Sequence, residues 1–269
     1  MFSVYTSLFN YSPEKFDILD AFSNWSKYAR EIVIGTFPDQ EDEILKAVWR
    51  EWYNGSLILD NGYEKATINV VSCDTDLDDP LFDGKLKNAA LQACKTDLVL
   101  QQDLDERIGG SFDIWKKYGE ALLNNNSGYR AIMLPVIDLY KDYGHYKGIG
   151  YKWFLHLKEG CYRGVVNFAK KEGGLIDTDK SDTCELIDRD GNLVRFAQVT
   201  DFIKTGNINC AHIVHLGFLD LNKRAENNKF WKPHWENRSG TEADIATSIE
   251  QLEKNYGAIP HNFPHKWWV

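Results

Sequence analysis

The 269-residue sequence contains no apolar run near the roughly 18 residues that a membrane-spanning helix needs. Its start, Met1-Phe2-Ser3-Val4-Tyr5-Thr6, has no basic stretch ahead of an apolar one, as a secretory leader would. Both absences lead us to expect a soluble, cytoplasmic protein without a transmembrane segment. There is no C-x-x-C pair: Cys73, Cys94, Cys161, Cys184 and Cys210 are odd in number and scattered, which predicts reduced thiols, mostly in the core. Basic residues are in deficit, 31 Lys and Arg against 40 Asp and Glu, and the net charge of −9 argues against a generic polyanion binder. No internal repeat and no linker rich in Pro, Gly or Ser divides the chain; only Asn124-Asn125-Asn126-Ser127-Gly128 resembles a flexible loop. We therefore expect one domain over 1–269, without a separate core for its second half.

What is present is ordinary globular composition, 43% hydrophobic and 26% charged, enough to fold around a core. Strand-like segments at 2–8, 31–36, 68–72 and 98–100 alternate with helical periodicity at 13–30, 41–53 and 85–93, the first helix with Ser12 as N-cap and Pro13 at its first position. Such alternation predicts an α/β fold with a mostly parallel, Rossmann-like sheet flanked by helices over the first 107 residues. Residues 108–269 are less regular. They offer a strand at 131–137 that Pro135 suggests is an edge or bulged one. They also offer a hairpin of 184–187 with 193–196 around Asp188-Arg189-Asp190-Gly191-Asn192, a strand at 213–216 and a helix at 242–256. The terminal His265-Lys266-Trp267-Trp268 reads as a packing tail.

In open parallel sheets ligands sit beyond the carboxyl ends of the strands. There the segment Leu98-Val99-Leu100-Gln101-Gln102-Asp103-Leu104-Asp105 sets two carboxylates two residues apart. Mg²⁺ or Mn²⁺ prefers such oxygen donors and keeps positions for water and substrate phosphates, so one or two carboxylates suffice.

The order of these pieces resembles the GT-A glycosyltransferases, particularly the large family of inverting enzymes with a single Rossmann-like domain. Val4-Tyr5-Thr6-Ser7 takes the place of the family's first strand, and Glu31-Ile32-Val33-Ile34-Gly35-Thr36 that of its E-I-I-V-V-D-D strand. Gly84-Lys85-Leu86-Lys87-Asn88-Ala89-Ala90 stands for its G-x-x-x-A-R-N-x-G segment, with 103 − 88 = 15 residues to the D-x-D. The likeness covers roughly residues 2–107. It implies a nucleotide-sugar donor, UDP-linked by preference, contacted at Thr6, Thr36, Lys87, Asn88 and Asp103, and a Mn²⁺ or Mg²⁺ ion on Asp103, Asp105 and a late histidine, His215 rather than His212. Gly35 and Thr36 replace the family's base-binding acidic pair, for which Asp39, Asp74 or Asp76 could substitute, Asp74 being the one we carry forward. The basic and aromatic stretch from Lys223 through Arg224, Lys229, Phe230, Trp231, Lys232, His234 and Trp235 could close over the diphosphate. The second half would supply the acceptor side and a general base from the run Asp177, Asp179, Asp182 and Glu185, with Asp182 and then Glu185 preferred and Asp138 a further candidate.

The expected activity is metal-dependent transfer of a sugar to an acceptor hydroxyl, with inversion, on a glycan, protein, small molecule or, less favoured, modified DNA. Nucleotidyl transfer ranks lower, because Leu8-Phe9-Asn10-Tyr11-Ser12 stands where a glycine-rich, basic phosphate loop would follow the first strand. A non-catalytic carbohydrate-binding protein on the same fold is the third reading.

Overall fold

The computed structural model describes residues 1–9, 18–53, 66–79, 82–124, 128–164, 185–190, 192–239, 245–261 and 263. In chain order the elements of the first half are β1 (Phe2–Ser7), α1 (Ile18–Trp25), β2 (Ala29–Thr36), α2 (Glu41–Tyr53), β3 (Thr67–Ser72), α3 (Phe82–Ala93), β4 (Leu98–Gln101) and β5 (Glu106–Gly109). There follow α4 (Phe112–Leu123), β6 (Ala131–Tyr140), β7 (Asp142–Leu157), β8 (Tyr162–Gly164), β9 (Glu185–Ile187), β10 (Phe196–Gln198) and α5 (Asp201–Thr205). Last come β11 (His212–Phe218), α6 (Leu221–Ser239), α7 (Ile249–Asn255) and β12 (Ile259–Pro260).

Ten strands form one sheet in the order β3-β2-β1-β4-β7-β6-β11-β5, with β10 also on β6 and β12 on β7, while β8 and β9 pair separately. Following the ladders from β1, only β5 and β7 run against the rest, so the sheet is mostly parallel and its strands present their carboxyl ends along one rim. Five backbone steps from Gln101 to Glu106 cover at most about 17 Å, whereas four flat strand spacings come to about 19 Å. The sheet must therefore curl for β4 and β5 to join directly, and the connection carrying Asp103 and Asp105 crosses the rim. This is the helix-flanked, Rossmann-like GT-A architecture expected from the sequence. One apolar cluster runs from Phe2, Val4 and Ile32 in the first half to Ile132, Leu134, Leu155 and Ile213 in the second.

Several elements depart from expectation. Of the two alternatives for Pro135, the edge is corrected: β6 is an interior strand, paired with β7 on one side and with β10 and β11 on the other, and its register with β7 shifts between Ile132 and Met133. Val199 N–H donates to the Met133 carbonyl at 3.0 Å, so the backbone of Met133, and of Pro135 two residues on, faces the β10/β11 side. Partners there end at Met133 and resume at Val136: the next bond of the β10 ladder would need the N–H that Pro135 lacks, so the proline stands where that ladder stops. The hairpin forms only in part. Asp188 N–H donates to Asn192 O at 2.8 Å and closes the turn, but β9 pairs with β8, and the second arm leaves to join β6 as β10. Of the expected helix at 242–256, residues 242–244 lie outside the described residues, 245–248 are not helical, and α7 follows, where the Ser248 hydroxyl accepts from Gln251 N–H at 3.2 Å. Ser12 and Pro13 lie outside the described residues. Cys94 and Cys161 are buried free thiols, Cys73 and Cys210 are half-buried ones, and Cys184 lies outside the described residues. Among the described residues no helix is long and apolar enough to cross a membrane.

Candidate functional site

The first component is built on α3. Asp83 and Lys87, four residues apart, lie on one helix face. The ammonium of Lys87 is buried; it sits 3.0 Å from Asp83 Oδ2 and 3.2 Å from Asp103 Oδ1. The Ser7 hydroxyl donates to Asp83 Oδ1 at 2.6 Å, so the ends of β1 and β4 are tied through one lysine. Burial alone would push the Lys87 ammonium toward neutrality. The two carboxylates more than reverse this and hold it above the ordinary lysine range, a permanent cation. Asp103 is fixed from below as well, its N–H donating at 3.0 Å to the fully buried carboxylate of Glu106.

The second component lies on β6 and β11. His215 stands in register with Asp138 on one side and Glu106 on the other. Its Nδ1 is 2.6 Å from Asp138 Oδ1, and its Nε2 is 3.1 Å from Asp105 Oδ2. Lys147 Nζ, 3.5 Å from the other oxygen of Asp138, also lies 3.7 Å from the Phe218 ring centre and 4.3 Å from that of Tyr256. Burial disfavours the imidazolium, but Asp105 and then Asp138 favour it more strongly, and the pKa of His215 rises to about 9. Leu216 N–H donates to the Asp105 carbonyl at 2.7 Å and holds the crossing segment against β11. Gly217 leaves the pair accessible: a Cβ there would lie 2.6 Å from His215 Nε2 and 2.7 Å from Asp105 Oδ2.

Among the described residues no group of three or more His, Cys, Asp or Glu side chains is disposed to hold a metal ion. The donors that do fit are two, Asp105 Oδ2 and His215 Nε2. Their 3.1 Å separation is close to the edge of an octahedron with ligands at about 2.1 Å, the spacing of Mg²⁺. Asp138 on Nδ1 is the carboxylate that orients a ligating histidine. Asp103, bonded to Lys87, belongs to the neighbouring component.

The other sequence candidates fall elsewhere. Thr6 and Thr36 are fully buried at the ends of β1 and β2, and the Thr36 hydroxyl has no hydrogen-bond partner among the described residues. A Cβ on Gly35 would sit 2.0 Å from the Leu86 carbonyl, so α3 crosses β2 there in backbone contact, which leaves no room for an acidic side chain at that position. Asp39, Asp74 and Asp76 are exposed, and Asp76 Oδ1 caps the turn at Asp78 and Asp79. Asn88 is engaged by the Arg163 backbone, whose N–H donates to its Oδ1 at 2.6 Å while its Nδ2 donates to the Arg163 carbonyl. His212 bonds Cys210 O at 2.7 Å, and burial lowers its pKa to about 4.

Lys223 is exposed in the first turn of α6, which the Asp220 carboxylate caps. Further along α6, Trp231 stacks on Phe82 at 5.6 Å while Phe230 and Trp231 contact Phe9, so these aromatics cover the end of β1. Lys229 and Lys232 pair with Glu226 and Glu236 of their own helix. Asp182, with Asp177 and Asp179, and the 265–268 tail lie outside the described residues; Glu185 opens β9 opposite Gly164. Sequence reasoning missed Asp83, which its spacing to Lys87 could have revealed, and Lys147, Gly217 and Arg163, for which no local signal exists.

No protein-family model matches the chain, and no curated protein matches it in sequence. Among solved structures it is similar to Staphylococcus aureus TarS 1-349, at 14% identity with 91% of this chain and 67% of that one covered and a TM-score of 0.42. It is similar to HddC from Yersinia pseudotuberculosis, at 10% identity, 88% and 100% coverage and a TM-score of 0.41. A third likeness is to 4-diphosphocytidyl-2C-methyl-D-erythritol synthase from Anaerococcus prevotii, at 15% identity, 73% and 88% coverage and a TM-score of 0.32. Likenesses this distant carry no inference about what the chain binds or does, so its function rests on its own residues.

Proposed function

We propose that the chain is a nucleotide-sugar-dependent glycosyltransferase that uses Mn²⁺ or Mg²⁺ and transfers the sugar, with inversion, from a UDP-type donor to an acceptor hydroxyl. The observation behind this reading is the division of the rim segment, where Asp103 meets a buried lysine and Asp105 an imidazole held by Asp138. Lys87 and Asp103 would orient the donor's polar groups beside β4. Asp105 and His215 would hold the ion, which, once bound, supplies positive charge against the departing diphosphate. An ion held at Nε2 would take the place of the proton that Asp105 favours there, so its binding would release a proton. The aromatics of α6 would wall off the donor beyond β1, with Lys223 at its edge. Asp138 is committed to His215 and Lys147, which leaves Asp182 and Glu185 as our candidates for the base that deprotonates the acceptor.

The test is isothermal titration of UDP with and without Mn²⁺ on wild type and Asp105→Ala. We expect binding that needs Mn²⁺ and weakens by about 100-fold or more in the variant. Equal affinity in all four titrations removes the transferase reading. A response confined to nucleoside triphosphates indicates nucleotidyl transfer instead.

A further inference from the structure

Arg163 lies in β8, its backbone clasped on both sides by Asn88, the neighbour of Lys87 on α3. The residue is 4% exposed, and its Nε is buried without a hydrogen-bond partner. Among the described residues no carboxylate pairs with its guanidinium; Asp83 and Asp103 are bonded to Lys87. Asn88 is next to Lys87 on α3, and Ala90 and Leu91 of that helix pack on Tyr5, so Arg163 lies on the face of the sheet that α3 covers. A buried cation without a counter-ion is costly, and a side chain whose other atoms are fixed cannot escape that cost by swinging into water. Tyr5 and His156 do not relieve it, since the Tyr5 hydroxyl and His156 Nε2 bond each other at 2.8 Å. An arginine in this position has the planar fork that matches two oxygens of one anionic group.

We propose that Arg163 is an oxyanion-binding residue that takes two oxygens of a phosphate or carboxylate on the ligand bound beside Lys87 and Asp103. This deepens the transferase reading and rests on it for the identity of the ligand. The oxyanion has two possible sources there, the donor diphosphate or an acidic substituent on the transferred sugar. Either way the counter-ion missing from the protein arrives with the substrate, and Asn88 acts by positioning Arg163.

The experiment titrates inorganic pyrophosphate, glucuronate and neutral glucose, without divalent metal, into wild type, Arg163→Gln and Arg163→Lys. The expected result is anion binding that weakens about tenfold or more in Arg163→Gln and is partly restored in Arg163→Lys, with no dependence on Arg163 for glucose. Dependence seen with pyrophosphate assigns the anion to the diphosphate; dependence seen with glucuronate assigns it to an acidic sugar. Equal anion affinity in wild type and Arg163→Gln, or no anion binding by wild type, overturns the proposal. Thermal unfolding of the ligand-free proteins guards against a purely structural role: Arg163→Gln should melt at the wild-type temperature or a few degrees above it, and a fall of several degrees overturns the proposal. The titrations omit nucleotide and metal. Loss of the Mn²⁺-dependent UDP response at Asp105 thus speaks to the transferase reading, and loss of the anion response at Arg163 speaks to this one.

Discussion

Asp103 and Asp105 are two residues apart in sequence, yet they belong to different regions of the molecule with different electrostatics. Asp103 belongs to the β1–β4 side, where a buried lysine is held by two carboxylates and nothing within reach can change its charge at neutral pH. Asp105 belongs to the β6–β11 side, where the cation it meets is a protonated imidazole. A lysine beside the first carboxylate is a fixture, whereas a proton on the second's partner can be exchanged for a metal ion. On the function proposed above, the paired carboxylates would make one site with a fixed half and an exchangeable half.

The largest effect that would break this contrast is expected at the fixed half. Lys87→Met removes the cation that bridges Asp83 and Asp103, whose side chains are 19% and 32% exposed. We expect a loss of about 2–4 kcal/mol in stability, read by urea unfolding. A variant as stable as wild type would mean that the two carboxylates relax into solvent and that the lysine is no fixture. At the exchangeable half, Gly217→Ala strains no backbone, since Gly217 is not left-handed, but it must push the buried His215 ring or Asp105 aside and should cost about 1 kcal/mol in stability. With its methyl group pressing on Asp105 and His215, Mn²⁺-dependent UDP binding should fall by about tenfold or more. Undiminished affinity would show that no ligand group needs the space above that pair.

How much of this was legible in the sequence follows the same division. The strands β1 to β4 are short apolar runs between helices with clear periodicity, and that alternation called for parallel strands, though not for their order along the sheet. The long strand β7 was missed because Gly144, Gly148 and Gly150 interrupt it with residues of low strand propensity; it exists because β4 and β6 flank it with complementary ladders. The carboxylates and His215 could be picked out by type and by place in the chain. Asp138 could be named only as a candidate base, since its contact with His215, 77 residues away, is created by the β6–β11 register. Gly217 and Arg163 matter for what surrounds them, which no local pattern encodes.

Three buried histidines sharpen the contrast through opposite pH limbs. His156 accepts from Tyr5, and burial drives its pKa down to about 3. In the unfolded chain it takes up a proton below about pH 6.5, so its folded neutral form is penalised as pH falls. At pH 5, still above the folded pKa, the penalty is about 2 kcal/mol and depends only on the unfolded value. His212, lowered to about 4, adds a similar amount. His215 has the reverse sign: its raised pKa stabilises the fold fully below about 6.5, and that contribution is lost as pH rises toward about 9. Melting temperature against pH should therefore fall on both sides of neutrality. His156→Gln should flatten the acid limb and His215→Gln the alkaline one. If both variants shift the curve uniformly, the burial and pairing described for these rings do not govern their titration.

The smallest effect is expected far from any charge, at Pro135. On an ordinary interior strand, replacing proline with valine would restore a ladder hydrogen bond and raise stability. Here the nitrogen of residue 135 faces the end of β10, where the parallel ladder that ends with Val199 N–H on Met133 O would continue from a residue-135 N–H to the Val199 carbonyl. A valine N–H would add that one bond, while the unfolded chain would regain the freedom that proline removes. The two consequences oppose each other, so Pro135→Val should change stability by less than about 1 kcal/mol, read as a shift of at most a few degrees in melting temperature. A larger loss would mean that the Val199 carbonyl turns away from residue 135 and leaves the new donor buried without an acceptor.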